Sequence, residues 1–154
     1  MAVNSNTAAE IVRDAHNAGV KVIAYDRIIN NCDLDFYISH NNYNVGKYMA
    51  DYALHLKPEG NYLMLGGDKS DRNAIFVKTG QLDAIKNNMQ SGKIKIVYDV
   101  YIEEWSKENA YFEMKKYLKL SSYNIPDVIL SSYDGLSYGS NRAFEELGWI
   151  IQKL

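Results

Sequence analysis

The residues most able to do chemistry stand at Asp26-Arg27, where the β-forming run Val20 to Tyr25 stops at a carboxylate beside a guanidinium. A carboxylate offers only acceptors and a guanidinium only a fork of donors. Side by side at the carboxyl end of a strand, where open α/β sheets bind their ligands, the pair suits a small polyhydroxylated molecule. The alternative is a surface ion pair in a loop. Trp105 is a second candidate, because it follows a strand and precedes Ser106, a possible helix N-cap. An aromatic at such a mouth can stack on a sugar face, and its ring is expected to face a cleft and not the core. The alternative is a tryptophan packed under a loop. Asn73 and Lys78 straddle the start of a helix and could offer an amide and an ammonium to the same crevice.

Other chemistries have little support. His16, His40 and His55 lie in different elements without metal-ligand spacing. Asp26, Asp68 and Asp99 each end a strand, an arrangement that could hold a divalent cation only if the strands were adjacent. Gly66-Gly67 lacks the dinucleotide and phosphate-loop spacings, and no G-x-S-x-G nucleophile elbow occurs. No catalytic residue, cofactor or metal is expected. Cys32, the single cysteine, excludes an intrachain disulfide.

These residues need strands and helices to position them. The spacing predicts helices over 7–17, 42–56, 73–89, 108–118 and 136–147, and strands over 20–25, 36–39, 61–65, 94–100 and 128–131. Asn6 or Thr7 would cap the first helix and Asn41 or Asn42 the second, whose apolar stripe reads Val45, Met49, Tyr52, Ala53 and Leu56. The alternation calls for an α/β fold: a three-layer α-β-α arrangement on a mostly parallel, doubly wound sheet. The chain of 154 residues carries 17 basic and 19 acidic side chains, a formal net charge of −2 that leaves no electrostatic footprint for nucleic acid. No apolar run approaches a membrane span and no secretory leader is visible, so the sequence taken literally would stay in the cytoplasm. The opening helix and the apolar tail Trp149 to Leu154 fit a piece of a larger two-lobed protein.

Several segments are familiar in their order and spacing: AYDRIINNCDLDFYISHNNYNVGKYMADYAL, GNYLMLGG, NAIFVKTGQLDAI, SGKIKIVYDVYIEEWSKENA and PDVILSSYDG. Over roughly residues 4–147 the chain resembles the ribose/galactose-type periplasmic binding proteins of bacterial ABC sugar importers, the xylose-binding members above all. The resemblance implies a type I periplasmic binding protein architecture, incomplete here. Residues 1–40 would be a remnant of the N-terminal lobe, a helix and two strands, and 41–154 part of the C-terminal lobe, with the chain crossing near His40-Asn41. It also implies a monosaccharide ligand, a transporter permease or membrane sensor as partner, and a periplasmic or cell-surface location. Asp26 and Arg27 match the family's sugar-binding Asp-Arg, Trp105 its stacking tryptophan, and Asn73 its asparagine ahead of a helix. Lys78 falls where the family has an arginine, Tyr133 where it has an asparagine, and Asn41 where it often has an aspartate, departures that imply a shifted sugar preference or a decayed site. The competing readings are a truncated fragment without function, the effector-binding domain of a transcription regulator, and an enzyme of the doubly wound class. With so little of one lobe, Ile11, Val12, Val22, Ile23 and Phe36 are expected to be exposed, and the chain to self-associate.

Overall fold

In the computed structural model, residues 8–120 and 124–148 are described. The proposed caps Asn6 and Thr7 and the tail 149–154 lie outside them. The first element among the described residues is helix α1 (Ala9–Asn17), which Gly19 ends by turning at φ +72°. Strands β1 (Ile23–Tyr25) and β2 (Phe36–Ile38) pair in parallel as a small sheet of their own. β1 is shorter than the run Val20 to Tyr25 because β2 offers only three partners, and the Val22 N–H goes instead to the Asp35 carboxylate at 2.8 Å. His16 reaches the same carboxylate at 2.9 Å, joining α1 to the strand. The Val22 N–H and the His16 ring hold the Asp35 carboxyl below its ordinary range.

The rest is a three-layer unit. Strands β3 (Gly60–Gly66), β4 (Ile94–Tyr101) and β5 (Val128–Ser131) form a parallel sheet in the order β4-β3-β5. Side chains of β3 alternate between two cores. Tyr62 and Met64 join Ala50 of α2 (Asn42–Leu56) and Ile85 of α3 (Arg72–Gln90) on one face. Leu63 and Leu65 join Met114 of α4 (Lys107–Leu120) and Phe144 of α5 (Asp134–Glu146) on the other. Both faces are thus covered, as a parallel sheet requires.

The structure refines two expectations. The apolar stripe of α2 faces inward only in part: Val45, Tyr52 and Leu56 are exposed, Met49 and Ala53 are half-buried with Ala53 packed on the core, and Gly46 and Ala50 are buried. The reason is close helix approach. A Cβ on Gly46 would stand 1.9 Å from the Val77 carbonyl oxygen, and one on Gly80 2.0 Å from that of Tyr43, so small residues form this interface and large ones flank it. In the first forty residues Ile11, Ile23 and Phe36 are exposed as expected, but Val12 is buried and Val22 half-buried.

Candidate functional site

The site begins where β1 stops. Asp26 adopts φ +66°, its N–H bonded to the Ile38 carbonyl at 2.8 Å, and the Arg27 N–H returns to the Tyr25 carbonyl at 2.8 Å. This tight reversal presents Asp26 and Arg27 toward the N-terminus of α3. There Asp71 caps the helix, accepting from the Asn73 N–H at 2.9 Å, and its other oxygen lies 2.9 Å from Arg27 Nε. The Asn73 amide donates to the Asp26 carbonyl at 3.2 Å and reaches its carboxylate at 3.4 Å. Asn42, in the first turn of α2, donates to the Asn73 side-chain oxygen at 3.0 Å. One amide therefore ties the small sheet to two helices of the larger unit.

Across from these groups, the turns after β4 and β5 supply Trp105 and Tyr133. Together they wall a crevice of about 560 Å³, lined also by Val45, Val77, Glu104 and Ser132. The Trp105 and Tyr133 rings meet edge to face at 6.1 Å. Trp105 is half-buried: it lines the crevice and also packs on the core around Leu63 and Leu65. It was expected to face the cleft and not the core, but a short 3₁₀ turn, Glu103–Trp105, lays its ring directly over Gly67. That turn was not read from the sequence.

Five expected site residues thus line one crevice: Asp26, Arg27, Asn73, Trp105 and Tyr133. Two do not. Asn41 caps α2, accepting from the Asn44 N–H at 3.0 Å, and borders a separate crevice with Tyr37, His40 and Phe76. Lys78 is only 3% exposed beneath the site, where it pairs with Asp99, donates to the Val100 carbonyl at 3.2 Å and stands 3.7 Å over the Tyr101 ring. Burial lowers the Lys78 ammonium's pKa, and the Asp99 hydrogen bond and charge oppose that shift. The cation arrangement is not formed either: Asp99 holds Lys78 and Asp68 holds a backbone N–H of Glu104. Among the described residues no group of three His, Cys, Asp or Glu side chains could hold a metal ion.

Asn42, Asp71 and Ser132 also line the crevice and were not singled out. Asp71 carried a usable signal, a carboxylate just before a helical run, which is an N-cap pattern. Asn42 and Ser132 carried none, since only the fold brings their loops together.

Polar side chains and aromatics thus converge on a crevice at the carboxyl ends of parallel strands, the place where α/β folds hold small ligands. Comparison with known proteins narrows the class. A model described as "Periplasmic binding protein domain" matches residues 1–153, and the chain belongs to that family. It is 37% identical over 145 residues to the D-xylose-binding periplasmic proteins of Haemophilus influenzae and Escherichia coli, covering 94% of this chain but 43% and 44% of theirs. It is 33% identical to the multiple sugar-binding periplasmic receptor ChvE of Rhizobium radiobacter, over 96% of this chain and 46% of that one. The chain therefore spans less than half the length of these relatives. A solved solute-binding protein of an ABC transporter from Clostridium phytofermentans, with bound β-D-glucose, superimposes with a TM-score of 0.84 at 26% identity, covering 93% of this chain and 49% of that one. The type I periplasmic binding protein fold expected from the sequence is the fold observed.

Proposed function

We propose that this chain contributes to non-catalytic binding of a small uncharged monosaccharide, a xylose-like aldose, by the solute-binding component of an ABC importer or a sugar sensor outside the cytoplasm. The observation that carries this reading is the meeting of Asp26, Arg27 and Asn73 with Trp105 and Tyr133 around one crevice. Asp26 accepts from sugar hydroxyls, Arg27 donates to them, and Trp105 offers a flat apolar surface to the C–H face of the ring. Asp26 and Arg27 belong to one wall, and the ends of α2 and α3 with the turns after β4 and β5 to the other. Relatives named for xylose and for multiple sugars support the ligand class.

Asp26 and Asn73 are bonded to each other in this structure. A sugar must exchange these bonds for its own, and a wall made of two strands gives it few further partners. Affinity of the isolated chain is therefore expected to lie nearer millimolar than micromolar, each decade costing about 1.4 kcal/mol. Calorimetric titration with D-xylose, D-ribose, D-galactose and D-glucose tests the reading. Saturable heat with one or more of them, lost in Arg27→Ala, supports it. No heat from any of the four at tens of millimolar, with the chain folded, overturns it for this chain.

A further inference from the structure

Trp105 occupies an unusual backbone. It and Glu104 both have positive φ, 54° and 58°, with no glycine between them. Two successive left-handed residues with side chains are costly, so neighbouring contacts must hold them. The ordinary turn bonds are modest: the Trp105 N–H reaches the Ile102 carbonyl at 3.4 Å, and that of Ser106 reaches Glu103 at 3.2 Å. The shortest contact comes from another loop. Asp68, two residues after β3, accepts from the Glu104 N–H at 2.6 Å through one carboxylate oxygen. Its other oxygen accepts from the Ser70 N–H and hydroxyl, both at 2.7 Å. Next to Asp68 in the chain is Gly67, whose lack of a side chain gives the Trp105 ring its seat: a Cβ there would come within 2.3 Å of the ring.

We propose that Asp68 is a positioning residue for the ligand site, locking the Glu104–Trp105 turn so that the indole stays seated on Gly67 with one side open to the crevice. The inference deepens the proposed function by naming what orients its stacking residue. Asp68 does not line the crevice; it acts through the Glu104 backbone, and its charge also faces that of Arg27. Both carboxylate oxygens are used, one on each loop. An amide in its place keeps one acceptor and can give its NH2 to the Ser70 hydroxyl, which accepts as well as donates, so the Glu104 bond can survive in Asp68→Asn. Asp68→Ala and Asp68→Leu remove both acceptors and should release the clamp.

The test separates orientation from stability and from sugar binding. In a Trp149→Phe background Trp105 is the sole tryptophan, and its near-ultraviolet circular dichroism and quenching by acrylamide report its seat without any sugar. Asp68→Ala and Asp68→Leu are expected to weaken the indole dichroism and raise the quenching constant at least twofold, with far-ultraviolet spectra unchanged. Asp68→Glu should restore part of both signals, and Ser70→Ala, which spares the Glu104 contact, should leave them near the parent values. Titration with D-xylose and D-glucose, for any sugar the parent binds, should show at least tenfold weaker binding in Asp68→Ala. Unchanged dichroism and quenching in folded Asp68→Ala or Asp68→Leu overturn the positioning role. A parent that binds no sugar, with the optical changes present, instead overturns the proposed function and leaves the clamp standing. If Asp68→Ala does not fold, Asp68→Leu and Ser70→Ala still decide.

Discussion

Along β3, four successive side chains from Tyr62 to Leu65 are shut away from solvent, two toward each helical layer. Along β1 only Ala24 is buried, and Ile23, Tyr25, Phe36 and Ile38 stand 48–75% exposed on one face of the small sheet. Both sheets are parallel and both are made of good β-formers. The difference is what covers them. Apolar strand residues stabilise a fold only when a layer removes them from water, and the described residues provide two such layers for β3 and none for that face of β1 and β2. The candidate crevice lies where these unequal regions meet. Its two walls therefore differ in rigidity, and the Asn73 amide joins them.

The largest effect should separate the two regions by truncation. Leu65→Ala empties a fully buried position and is expected to cost about 3 kcal/mol in urea unfolding. Ile23→Thr changes a side chain 65% exposed and should fall within about 0.5 kcal/mol. Equal costs would break the contrast, because the small sheet would then have a core of its own.

Trp105→Ala comes next. A ring packed both on the core and along the crevice should cost about 2 kcal/mol, below the full range for a buried tryptophan. A change near zero in thermal melts would place the ring wholly in the cleft, and a loss above about 4 kcal/mol wholly in the core.

Asn73→Ala sharpens the comparison at the join. It removes the bonds to Asp26 and Asn42 and should cost about 1 kcal/mol. Its distinctive sign is regional: amide exchange should accelerate in Ile23–Tyr25 and Phe36–Ile38 while Gly60–Gly66 stays protected. Uniform acceleration through both sheets would mean that they unfold as one body.

The smallest effect is a pH dependence confined to the larger unit. Lys78 has its pKa lowered from 10.5, so the folded chain binds fewer protons than the unfolded one between the lowered value and 10.5. Stability from this group therefore rises with pH across that window. Tyr98 acts oppositely. Burial, with the Glu113 hydrogen bond, pushes its phenol up to about 12, so its contribution is lost as pH rises from 10 toward 12. Urea midpoints of Lys78→Met and Tyr98→Phe against the parent, from pH 8 to 11, should diverge with opposite slopes. Parallel curves would remove both groups from the balance.

Much of the fold was legible because it is local. The unbroken apolar runs at 61–65 and 128–131 predicted buried parallel strands, and β5 was bounded correctly at Val128–Ser131. Gly19 and Gly92 follow the ends of their helices, where both turn at positive φ. Asp26 and Arg27 were readable as site candidates because a strand that stops at charged residues places them at its carboxyl end. Lys78 reads alike in sequence whether its ammonium meets a ligand or Asp99. Only the approach of β4 beneath α3 decides for Asp99. The stripe on α2 shows the same limit. A helical period gives which residues share a face, but the glycine contact with α3, Gly46 against Val77 and Gly80 against Tyr43, decides which face goes inward. The sequence by itself determined the strands, the helices and the chemistry at their ends. The clamp of Asp68 on the Glu104–Trp105 turn and the tie of Asn73 to Asp26 join residues 36 and 47 positions apart, and contacts at such separations exist only once β3, β4 and the helices between them have packed.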